Sequence, residues 1–109
     1  MQLRAFLRKY PLERFTRASI CRIAELERGL AEVRRNGYAV DDQEFEEGLK
    51  CIGAPIRDRK GVAVAALSIA GPALRLSAER MPELVKAVRE AAFTLCAALG
   101  YHPNRLRVS

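Results

Sequence analysis

The sequence has no tryptophan, only three tyrosines and four phenylalanines, and a single histidine. A core must therefore come from Leu, Ile, Val and Ala. Its three cysteines, Cys21, Cys51 and Cys96, are odd in number, far apart and free of any C-x-x-C pair, which argues against a disulfide framework and a structural zinc site. No apolar run approaches the ~18 residues of a membrane span. Met1 to Lys9 alternates apolar and basic residues without a continuous signal-peptide core. The expectation is a cytoplasmic protein with reduced thiols and no membrane association. There is also no G-x-G-x-x-G, no Walker loop and no zinc-protease helix, so neither a cofactor nor a metal is expected.

What is present fits one small α+β domain. The chain has 109 residues, half of them hydrophobic and 29% charged, an ordinary globular balance. Its net charge of +6 is uneven: residues 1–35 carry +5, residues 36–60 carry −2 and residues 61–109 carry +3. A basic surface can bind nucleic acid through phosphates. Here, however, Glu25, Glu27 and Glu32 interleave the first basic segment and no helix-turn-helix or aromatic stacking motif accompanies it, which favours a solvated helical face.

The spacing predicts a short helix over residues 2–9, stopped by Pro11. Leu12 to Thr16 alternates like an extended connection or edge strand. From Ala24 to Asn36, Ile23, Leu26, Leu30 and Val33 form one apolar stripe, and Asn36-Gly37 supplies a left-handed stop. Tyr38-Ala39-Val40 starts a strand that Asp41-Asp42-Gln43 breaks or turns. Leu49 to Arg57 reads as a strand whose Pro55 needs an edge, a bulge or a non-bonded site. Asp58 to Gly61 is a hairpin loop, and Val62 to Ala70, apolar or small except for Ser68, reads as a strand covered on both faces. Ser77 is a candidate N-cap for a long helix carrying Leu84, Val85, Val88, Ala92, Leu95 and Leu99, closed by Gly100. The tail from His102 has no periodicity. Three strands, one of them apolar on both faces, are too few for a finished sheet; the rest come from another copy or from a longer domain.

Few residues offer chemistry. A Cys51–His102 dyad has no supporting spacing, and a small buried hydrophobe is the plainer role for Cys51. Asp41, Asp42, Glu44, Glu46 and Glu47 have oxygen ligands for a divalent cation, but a solvated acidic turn is more ordinary. No catalytic or metal-ligating set emerges. Ser68, interrupting an apolar strand, is expected to be buried with a partner, either a neighbouring backbone carbonyl or a ligand. Asp41 either braces its own turn or faces a ligand.

Several blocks go further together: Pro11-Leu12-Glu13-Arg14-Phe15-Thr16, the run from Gly37 to Ile52, Ala54-Pro55-Ile56-Arg57-Asp58, and Ala65 to Pro72, with Arg75-Leu76, Glu79-Arg80 and Met81-Pro82-Glu83-Leu84 in register. In this order and spacing they closely resemble the C-terminal effector-binding domain of the IclR family of bacterial transcription regulators, from about Pro11 to Gly100. The resemblance implies a GAF-like, profilin-like fold with an antiparallel sheet covered by helices. It implies a small-molecule effector, commonly an organic or aromatic acid, and dimer or tetramer contacts. DNA would be bound only through a winged helix-turn-helix domain that this chain does not carry. The family's ligand-contacting aspartate falls on Asp41, its cysteine on Cys51 and the first of two serines on Ser68. The second serine is replaced by Ala70, so one hydroxyl contact is absent.

The expectation is thus a single partial effector-binding domain over residues 1–109, with its core at 11–100 and a tail at 101–109. It starts inside the family's domain, sheds upstream strands that complete the sheet and pocket, and is not an enzyme. Two other classes remain open: a small thiol-dependent enzyme using Cys51, marked by a hyper-reactive thiol, and a nonspecific basic nucleic-acid binder, marked by steep salt dependence.

Overall fold

A computed structural model describes residues 3–101. The elements in order are α1 (Leu3–Lys9), α2 (Ile23–Asn36), β1 (Ala39–Asp42), β2 (Leu49–Arg57), β3 (Ala63–Pro72) and α3 (Met81–Ala98), an α+β arrangement. The strands form one antiparallel sheet in the order β1-β2-β3. The shortest dimension is 18 Å against 43 and 37 Å for the others, the thickness of one helix layer on one sheet. His102 and the residues after it lie outside the described residues, as do the first two. No described helix is long and apolar enough to cross a membrane.

The core lies between one sheet face and α3. On β2 the even-numbered positions Ile52, Ala54 and Ile56 are buried, with Ile52 fully enclosed. Strand geometry puts alternate side chains on one face, so these three meet α3 together. From α3 come Val88 and Ala92, with Leu84 and Val85 packed alongside. The buried line on this helix continues to Cys96 at i+4, whereas Leu95 and Leu99, expected in the stripe, are 43% and 48% exposed. Leu76 closes one end of the core against Gly71, where a Cβ would stand 3.0 Å from Leu76 Cδ1.

Helix α2 ends as its Asn-Gly pair predicts. Gly37 is left-handed at φ 78°, and its N–H donates to Val33 O. The helix nonetheless contributes no buried residue, and its stripe is at most half-buried. Helix α3 begins differently from expectation. The Ser77 side chain makes no cap; its carbonyl accepts from Arg80 N and Met81 N, forming a one-turn lead-in before Pro82.

The strands differ from the sequence reading at three places. Of the two readings of Leu12–Thr16, the extended connection holds and the edge strand does not, because its polar backbone is satisfied by side chains of the same loop. The N–H groups of Phe15 and Thr16 both donate to Ser19 Oγ at 2.9 Å. Asp41 and Asp42 belong to β1 rather than breaking it, paired with Cys51 and Lys50. Strand β3 is paired only with β2 and is not covered on both faces: Ala66, Ser68 and Ala70 are exposed. Its apolar run thus reflects one face against α3 and one face bare. Pro55 sits in the central strand, but the pairing with β1 reaches only Gly53, opposite Ala39, so Pro55 lies on a stretch whose β1 side is unpaired.

Candidate functional site

The pairing registers place the candidate residues relative to one another. Asp41 opposes Cys51, and Cys51 opposes Ala70, so the three form one row across β1, β2 and β3. Ser68 stands in the adjacent row, opposite Gly53, which in turn opposes Ala39. Both rows lie on the face turned away from α3. Strands are about 4.8 Å apart, so the row from Asp41 to Ala70 spans about 10 Å. Four residues separated by up to 29 positions in sequence thereby share one surface.

That surface is made of small groups. Ala39, Gly53, Ala66, Ser68 and Ala70 leave the backbone close to the surface, and a Cβ at Gly53 would rest 3.7 Å from the Ser68 Cβ. Nothing among the described residues covers Ser68 or Ala70, and Cys51 is half-buried. The expectation of a buried Ser68 is therefore corrected: β3 is an edge strand with a bare face, and its hydroxyl points to the open side.

Asp41 braces its own turn, the first of its two anticipated situations. Its Oδ1 accepts the Glu44 N–H at 2.8 Å, which braces the turn leaving β1. The residue also borders a cleft of about 380 Å³ that Leu12, Phe15, Ile20, Leu26 and Glu44 help to line. Glu44 is pushed above the ordinary carboxylate range, first by burial and then by the negative charge of Asp41. A second cleft of about 400 Å³ touches Ala70 at the other end of the row, between Glu46–Leu49 and Gly71–Pro72.

Two polar residues that shape this end of the sheet escaped the sequence reading. Thr16 and Ser19 are buried at 8% and 9% exposure. Thr16 Oγ1 donates to Gln43 O at 2.5 Å, and Ser19 Oγ donates to Glu44 O. Together they tie the loop after α1 to the turn that carries Asp41. Gln43 itself holds φ at 62°, an unusual value outside glycine, and its Oε1 accepts Gly48 N at 3.0 Å. The rings of Phe15 and Phe45, tilted at 49° with centroids 4.9 Å apart, pair at the same junction. A Thr and a Ser three residues apart ahead of a helix are the available signal, since hydroxyls at that spacing satisfy local backbone donors.

The thiols divide by position. Cys96 is buried under the β2 bulge, where the Arg57 N–H donates to its Sγ at 3.2 Å. Cys51 has Asp41 and Ala70 as its lateral neighbours, and its anticipated histidine partner, His102, is outside the described residues.

Comparison with known proteins supplies the context. The family model described as bacterial transcriptional regulator IclR C-terminal matches residues 1–97. The HTH-type transcriptional regulator BhcR of Paracoccus denitrificans is 42% identical over 105 residues, covering 96% of this chain and 37% of its own length. The HTH-type transcriptional regulator KdgR of Escherichia coli is 49% identical over 73 residues, covering 67% of this chain and 28% of its own length. The crystal structure of the C-terminal domain of Escherichia coli KdgR superposes with a TM-score of 0.82 at 40% identity, over 91% of this chain and 60% of that one. The chain thus spans roughly a third of the length of the curated relatives it matches.

Proposed function

The chain belongs to the IclR family of bacterial transcriptional regulators, and we propose that it forms the effector-sensing part of such a regulator, with the open sheet face as the floor of the binding site. The observation that carries this reading is the row Asp41–Cys51–Ala70 with Ser68 beside it, on a small-residue face that no described residue covers at Ser68 and Ala70. An organic acid with a hydroxyl or oxo group suits this floor. The second Asp41 oxygen is available to a ligand hydroxyl, and the Ser68 hydroxyl can donate to a ligand carboxylate. With Ala70 in place of a second serine, less of the anion's solvation is replaced on that side, which favours a ligand with a larger apolar body.

Sensing on this reading is non-enzymatic. The effector shifts populations between regulator conformations by binding them unequally. Operator contact belongs to the helix-turn-helix portion of such regulators rather than to residues 1–109, in a cytoplasmic homodimer or tetramer. The unpaired edge of β3 supports self-association, since bare strand edges recruit further strands.

The test is a calorimetric titration of this chain with small acids such as pyruvate, lactate and benzoate. At least one is expected to bind saturably, with Ala70→Leu and Asp41→Asn each weakening it by about tenfold or more. Binding that ignores Ala70→Leu would place the site elsewhere, and no saturable binding by any acid would remove the reading.

A further inference from the structure

Past Gly53, β2 runs on without β1, and three elements converge on this stretch of edge. The last turn of α2, the bulge at Ile56/Arg57 and the middle of α3 enclose a cleft of about 350 Å³. Four arginines line it, Arg34, Arg35, Arg57 and Arg89, and among the described residues no carboxylate does. The dipole of α2 accounts for Arg34 and Arg35 in its last turn. It does not account for Arg57 and Arg89, which arrive from β2 and α3.

The charge in this cleft is not neutralised internally. Among the described residues Arg34, Arg57 and Arg89 form no ion pair, and Arg35 has only a 3.9 Å contact with Glu32. Outside the cleft, Arg4 meets Glu27 at 2.6 Å and Arg80 meets Glu83 at 3.2 Å, while several scattered arginines such as Arg28 and Arg75 form no ion pair among the described residues. What sets the cleft apart is that four guanidinium groups converge on one concavity. One of the cleft guanidinium groups is held by a hydrogen bond and a second packs on a neighbouring backbone. Arg57 Nη1 donates to Gly61 O at 2.8 Å. Arg89 lies across the left-handed Gly37, with Nε and Nη2 each 3.7 Å from where a Cβ would stand. A side chain at position 37 would strain the left-handed backbone, while its Cβ would only touch Arg89 at ordinary contact distance.

We infer that this cleft binds a phosphoryl group, carried by free phosphate or by a phosphate monoester. Guanidinium forks match phosphate oxygens in geometry as well as charge, and several converging on one concavity suit a dianion. The volume falls within the ~300–1,000 Å³ of small-molecule sites. Phe93, 60% exposed, and Tyr101 at the rim provide a flat apolar wall for the organic part of an ester. The site is separate from the Asp41–Cys51–Ala70 row: Arg89, Ala92 and Cys96 line it from α3, on the other side of the sheet, and Pro55 at its base is about 13 Å along β2 from Cys51.

Calorimetry of this chain at fixed ionic strength, with adenosine monophosphate, inorganic phosphate and adenosine as probes, tests the assignment. The monophosphate is expected to bind saturably at one site and adenosine not at all. Inorganic phosphate binding equally tightly identifies free phosphate as the source, and weaker binding identifies the ester. Arg89→Ala is expected to weaken the phosphoryl probes about tenfold. Arg34→Gln, at an exposed position, does the same should Arg89→Ala disturb folding. Arg28→Ala, on α2 but outside the cleft, leaves binding unchanged. Absence of saturable binding overturns the proposal, as does equal weakening by Arg28→Ala, which would report bulk positive charge. Duplex DNA displacing the probe with the cleft variants still active would likewise show a nonspecific polyanion surface.

Discussion

Ile52 and Cys51 are consecutive on β2, yet Ile52 is wholly enclosed beneath α3 and Cys51 stands half-exposed on the opposite face. The same split extends across the sheet. One face carries Val40, Ile52, Ala54 and Ile69 against Val88 and Ala92 of α3. The other carries Ala39, Gly53, Ala66, Ser68 and Ala70, none of which could fill a core. A face selected only for burial would hold branched residues on both sides, since those gain most from leaving water. The small residues therefore mark a surface kept shallow for something other than a helix. That is the physical basis for placing an effector there.

The largest expected effects come from treating the two faces identically. Ile52→Ala removes side-chain volume from a fully enclosed site and is expected to cost about 3–4 kcal/mol in urea-induced unfolding. Cys51→Ala, one residue away, is expected to cost under about 1 kcal/mol. Ala54→Leu overpacks the space beneath α3, at about 1–3 kcal/mol, whereas Ala70→Leu on the open face is tolerated. Equal costs on the two faces would mean that another copy covers the open one, and a midpoint that rises with protein concentration would show it.

A smaller effect tests how α3 meets the sheet's irregular end. At the bulge between Ile56 and Arg57 the Arg57 N–H has no strand partner and donates to Cys96 Sγ instead, while the thiol contacts Pro55 O at 3.8 Å. Cys96→Ala leaves that part-buried donor without its acceptor, at about 1 kcal/mol. Cys96→Ser keeps an acceptor and is expected to lose less. The order Ala worse than Ser in chemical denaturation is the critical result, because a purely packing role for the sulfur would make the two alike.

Sequence periodicity located every strand and helix of this sheet except at points where partners decide. Leu49–Arg57 was legible to the residue, because a hydrophobic alternation bounded by Gly48 and Asp58 admits one reading. Whether Leu12–Thr16 is an edge strand or an extended connection was not, since its hydrogen bonds run to Ser19 and Gln43, and a Thr or Ser hydroxyl gives no periodic trace. Nor was the exposure of β3: an apolar run looks the same whether its second face is covered or bare. The candidate site shows the same division. Its residue types and their order came from family resemblance, but their alignment in one row depends on the β1–β2 and β2–β3 registers, which long-range pairing sets. The arginine cleft left no motif at all, because its members come from three elements far apart in the chain.

The smallest effect concerns the acidic turn at the edge of the open face. Burial and the neighbouring Asp41 charge raise the Glu44 pKa above that of an unfolded carboxylate, so the folded chain holds this proton more tightly than the unfolded one. The group's contribution to stability is therefore fully present below the unfolded value and declines as pH rises to the folded one. Above that it stays as a constant cost. Glu44→Gln removes the cost and is expected to raise stability slightly at neutral pH, by on the order of half a kcal/mol or less, with no gain in acid. The Glu44 N–H bond to Asp41 survives this change, since it is made by the backbone. Asp41→Asn keeps an acceptor for that N–H but removes the charge, so the Glu44 titration, followed by carboxyl carbon NMR, should move back toward the ordinary carboxylate range. A Glu44 titration unaffected by Asp41→Asn would leave burial, with the charges of Asp42 and Glu25, as the causes of the shift.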